Sequence, residues 1–98
     1  MRDAARELLH PMKFTRLTVE DVRSRSWASA TFTGTRQVLT FRLEGEAAEE
    51  EADTFLAGLD EREFELRGHI LADIALLSRT AISDGVRICL EALIVEDA

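Results

Sequence analysis

Two runs of strict alternation in the second half of the chain constrain its fold more than any other feature. From Phe64 the even positions read Phe64, Leu66, Gly68, Ile70, Ala72, Ile74 and Leu76, and the odd ones begin Glu65, Arg67 and His69. A period of two with one apolar set marks a strand buried on one face. After Ser83, Asp84 and Gly85 comes a second run, with Val86, Ile88, Leu90, Ala92 and Ile94 even against Arg87, Cys89 and Glu91 odd. The two runs read as a hairpin with a shared apolar face. Because both bury even residues, a two-residue Asp84-Gly85 loop would put the two apolar sets on opposite faces. A three-residue Ser83-Asp84-Gly85 loop is expected instead, with Gly85 left-handed in a bulge, Ile82 opposite Val86 and Ile74 opposite Ile94.

The same logic applies upstream. From Phe14 the chain is extended, with Leu17 and Val19 apolar at odd positions and Ala28, Ala30 and Phe32 at even ones. A bulge between Asp21 and Arg25 accounts for the change of phase. Leu39, Phe41 and Leu43 follow at odd positions, so a two-residue Gly34-Thr35 turn is expected, pairing Ala30 with Leu39, Ala28 with Phe41 and Ser26 with Leu43. The other face then carries Arg25 opposite Glu44 and Trp27 opposite Arg42.

Between the hairpins, Ala48, Ala52, Phe55, Leu56 and Leu59 recur at helical spacing, which predicts a helix from Glu46 to Leu59. Its acidic start (Glu46, Glu49, Glu50, Glu51) suits the positive end of the helix dipole and reads as a solvated face rather than a metal site. A shorter helix is expected over Asp3 to Leu9, stopped by Pro11. The predicted order is helix, hairpin, helix, hairpin. The fold class is therefore α+β in a single domain, 1-98: two helix-hairpin units, 1-45 and 46-98, forming a four-stranded, mainly antiparallel sheet with the Glu46 to Leu59 helix on one face.

Charge is unevenly placed. The net charge is -7, yet residues 13 to 42 carry six basic side chains against two acidic, whereas residues 43 to 98 carry four against fifteen. A basic segment in an acidic chain points to a nucleic-acid surface or to two halves that attract one another. Cys89 is the single cysteine, so no internal disulfide forms, and a reducing, cytoplasmic setting is expected. The first nine residues contain four charges and no apolar core, unlike a secretory signal. No apolar run approaches the roughly 20 residues of a membrane helix, so no membrane partner is expected.

Nothing in the chain reads as a catalytic constellation. His69 and Asp73 lie too far apart along one strand to act as a dyad, and phosphate-binding, paired-cysteine and nucleophile-elbow motifs are all missing. No catalytic, cofactor-binding or metal residue is assigned, and no cofactor is expected. Two surfaces stand out instead. Leu71, Ala75, Leu77, Leu93 and Val95 occupy odd positions opposite the expected core face, which suggests an interface for a second copy or a protein partner. Arg23, Arg25, Trp27, Arg36 and Arg42 would line one face of the first hairpin, where arginines contact phosphates and the indole stacks a base. The expected function is that of a small non-catalytic protein acting as a homodimer or through a protein partner. Nucleic-acid or anion binding is the alternative reading, and an enzyme with residues gathered from far apart is the third.

Overall fold

Alternation of apolar and polar residues does produce four antiparallel strands, in the sheet order β1-β2-β4-β3. The structure, a computed structural model, describes residues 14, 16–59 and 69–96, with backbone alone at 69 and 70. The strands are β1 (Leu17–Ala28), β2 (Thr33–Glu44), β3 (His69–Ile82) and β4 (Gly85–Glu96), with one helix, α1 (Ala48–Ala57), between β2 and β3. The fold is α+β, with a single described helix. The expected Asp3 to Leu9 helix lies outside the described residues, so the pairing of a helix with each hairpin stays an expectation.

β2 and β4 form the centre and bury the alternating apolar sets. Leu39 pairs with Leu90, Phe41 with Ile88 and Leu43 with Val86, all facing α1. The helix adds Ala48, Ala52 and Phe55, with Leu59 just beyond its end, so the 3.6-residue spacing in the sequence identifies the buried stripe correctly. Phe55 meets Phe41 edge to face at 5.9 Å between ring centroids, and Phe14 at 5.8 Å. Gly45, at φ 105°, is the one described residue in the left-handed region, and it turns the chain from β2 toward α1. At about 15 Å, the ten-residue helix is far shorter than strands of about 40 Å, and the molecule is 46 Å along its longest axis.

Both hairpin turns differ from expectation. The β1–β2 connection is the four-residue loop Ser29 to Phe32, not Gly34-Thr35, and Val22 rather than Ala30 faces Leu39. Ser29 closes it: its backbone N–H donates to the Phe32 carbonyl at 2.8 Å, and its hydroxyl accepts from the Phe32 N–H at 3.1 Å. Phe32 is thereby a loop residue, 55% exposed, instead of a core one. The β3–β4 turn is the two-residue Ser83-Asp84, with Ile82 opposite Gly85. The parity constraint is met within β3 instead, which carries extra residues at Ala72 and Leu77, each resetting the phase. The expected β1 bulge exists, but its extra residue is Glu20.

Gly34 and Gly85 are strand residues at opposite ends of the β2–β4 ladder, opposite Val95 and Glu44. A Cβ on Gly34 would collide with the Ile94 carbonyl oxygen, and one on Gly85 with that of Leu43. The equivalence extends to sequence: Gly34, Arg36 and Leu39 recur 51 residues on as Gly85, Arg87 and Leu90. The two leucines pair with each other at the middle of the ladder.

Candidate functional site

The sheet face away from α1 carries the even residues of β2 and the odd residues of β4. Register puts all five expected phosphate-face residues there, though not as expected: Arg25 faces Arg36, Trp27 faces Gly34, Arg23 faces Val38 and Arg42 faces Thr18. The Trp27 indole occupies space that the missing Gly34 side chain leaves, with its Nε1 at 3.1 Å from where that Cβ would stand. Nε1 is buried and has no hydrogen-bond partner among the described residues.

Most of these arginines are already engaged. Arg23 pairs with Asp21 at 2.9 Å and Arg36 with Glu91 at 2.9 Å. Arg42 bridges Glu44 at 2.9 Å and Glu20 at 3.0 Å. Arg87, which sequence reasoning did not single out, donates to Glu20 at 2.6 and 3.0 Å. Glu20 is the bulged residue of β1, and the bulge aims it at both arginines. Hydrogen bonds from Arg87 hold its carboxyl at about 2, below the ordinary 4.5; partial desolvation opposes this and Arg42 reinforces it. Glu44 and then Glu20 raise Arg42, and Glu20 raises Arg87. Arg25 makes no ion pair with a described residue.

The expected apolar interface is divided. The bulge at Ala72 turns Leu71 toward α1, opposite Ile94, where it packs on the core. Val95 is buried and Leu93 half-buried on the other face, opposite Gly34 and Arg36. Ala75 and Leu77 remain exposed, Leu77 at 51%, and Leu76 joins them at 43%. The five residues are therefore not one surface. What survives is a stretch of β3, an edge strand with no neighbour beyond it among the described residues. From Ile74 to Ser78 it is uncharged, between Asp73 and Arg79. The other edge, β1, carries Glu20, Asp21, Arg23 and Arg25 over a similar length. An open edge invites another strand, and charge is a common way of refusing one.

Other chemistry is sparse. Among the described residues no group of three or more His, Cys, Asp or Glu stands close enough to hold a metal ion. His10 lies outside the described residues, and His69 begins β3 opposite Glu96. Cys89 is half-buried and accepts a hydrogen bond from the Thr40 hydroxyl at 3.5 Å. An open cleft of about 530 Å³ lies between the start of α1 and the β3–β4 turn, lined in part by Arg16, Glu44, Glu49 and Asp84. Another, of about 370 Å³, lies at the far end of the sheet beside Thr33, Thr35 and Glu96. Among the described residues no helix is long and apolar enough to cross a membrane. No protein-family model matches the chain, and no curated protein or solved structure is significantly similar to it.

Proposed function

We propose that this chain is a non-catalytic association module that accepts an extended strand along the open edge of β3. The observation that carries this reading is the difference between the two edges of one sheet. β1 combines a bulge with four charged residues along its middle, whereas β3 keeps its two, Asp73 and Arg79, to either side of an uncharged run that exposes Leu76 and Leu77. Strand addition satisfies the free backbone groups of such an edge, while alternate side chains supply specificity.

The arginine face is the weaker reading. Of the four arginines only Arg25 is without an ion pair among the described residues; at the others a phosphate would have to displace Asp21, Glu91, Glu20 or Glu44, in a chain of net charge -7. Two helix-hairpin units, 1-45 and 46-98, are also part of the proposal. The recurrence of Gly34, Arg36 and Leu39 at Gly85, Arg87 and Leu90, on symmetric positions of the central ladder, supports it.

The test uses a fluorescent peptide with the sequence of residues 71 to 80. Added to the full chain, it should show saturable anisotropy that disappears when Leu76→Lys is combined with Leu77→Lys. Both side chains are exposed by two-fifths or more, so the variant retains its core. Equal binding to the variant would exclude β3 as the docking edge.

A further inference from the structure

We infer that the strand received by β3 is β3 of a second copy, giving a closed two-fold dimer whose sheet runs β1-β2-β4-β3 and then back through the partner in reverse. This rests on the reading of β3 as the docking edge, and it goes further by naming the occupant and the stoichiometry.

Charge selects that occupant. Each copy carries -7, so two copies repel except where acids are sparse, and between Ile74 and Ser78 there are none. A partner's β3 brings the same uncharged run, and an antiparallel pairing centred near Leu76 lets Leu76 and Leu77 of both copies cover one another. A partner's β1 would instead press Glu20, Asp21, Arg23 and Arg25 against those leucines. Glu20 would then be desolvated beside an apolar surface or torn from Arg42 and Arg87.

The same contrast fixes where growth stops. Pairing β3 with β1 of the next copy is head to tail and would continue into a filament. Pairing β3 with β3 uses the uncharged Ile74 to Ser78 run of each copy and leaves the more heavily charged β1 strands at both outer margins, so assembly closes at two.

Light scattering on a sizing column at physiological salt, with and without the labelled peptide, decides between the outcomes. The full chain should elute at about twice its 11.0 kDa mass and return to that of one chain in the Leu76→Lys, Leu77→Lys variant with an unchanged circular dichroism spectrum. A doubled mass that the variant retains overturns β3 as the contact. A single-chain mass with saturable peptide binding overturns the second copy as occupant and keeps the docking edge. A single-chain mass without peptide binding overturns both, and a mass that keeps rising with concentration overturns closure.

Discussion

Glu20 accepts two hydrogen bonds from Arg87, at 2.6 and 3.0 Å, although the two residues belong to strands that are not neighbours. Arg42, on the strand between them, donates to the same carboxylate. The extra residue that bulges β1 thus ties the charged edge to the centre of the sheet.

This carboxylate makes stability depend on pH in a known direction. Its pKa is about 2 in the folded chain against 4.5 ordinarily, so the folded state favours the charged form. Its contribution is fully present above pH 4.5 and is lost as the pH falls toward 2. Urea midpoints measured across that range should fall for the natural chain. Glu20→Gln should lower the midpoint at neutral pH and flatten the slope in the acid range; an unchanged acid slope would show that the carboxylate is not held this way.

Gly34→Ala and Gly85→Ala should each destabilise by about 1–3 kcal/mol, the usual cost of forcing atoms into filled space. The obstacle in both cases is a backbone carbonyl, of Ile94 or of Leu43, which cannot rotate aside as a side chain would. Chemical denaturation checks this, and a loss at either position no larger than that of an exposed strand substitution would contradict the close approach.

Phe55→Ala should cost about 3–5 kcal/mol, because the ring is fully buried and packs edge to face on both Phe41 and Phe14. Against the 5–15 kcal/mol typical of a whole domain (roughly), such a loss leaves a partly unfolded population. Thermal melting followed by circular dichroism should show a lower and broader transition.

Arg79→Ala should matter far less. Arg79 reaches from β3 to α1, pairing with Glu49 at 2.8 Å and Asp53 at 2.7 Å, but both acids are largely exposed. Exposed pairs contribute roughly 0.2–1 kcal/mol each and are screened by salt. The difference between natural and variant midpoints should shrink as sodium chloride is added.

Much of the sheet and all of the helical stripe are legible from spacing, because burial on one face leaves a local period. Ala48, Ala52 and Phe55 are buried as their spacing predicts, and so are Leu39, Phe41, Leu43 and the even apolar residues of β4. Register is a different matter. It depends on single extra residues, and Ala72 and Leu77 are ordinary apolar residues of an apolar-rich strand, with no glycine or proline to mark either as a bulge. Gly34 illustrates the converse. Glycine after threonine suggests a tight turn, but its small size answers a carbonyl from β4, about sixty residues away, which no local pattern encodes. The arginine face was legible as a set of residues, since all five do share a side of the sheet. Their neutralisation is legible only where the acid is local, as with Asp21 beside Arg23 and Glu44 beside Arg42; Glu20 and Glu91 reach Arg42 and Arg36 from other strands.

The positions of the three extra residues have a consequence for how such a chain can change length. Glu20, Ala72 and Leu77 all lie in edge strands, whereas the central ladder runs from Gly34–Val95 to Glu44–Gly85 without a slip. With a glycine seated under a carbonyl at each end, that ladder acts as a ruler. A residue inserted in β2 would pull one glycine away from its carbonyl and push a side chain into its place, unless β4 lengthened to match. Insertions and deletions should therefore accumulate at the margins of the sheet, and the distance between the two glycines should be the last dimension to drift.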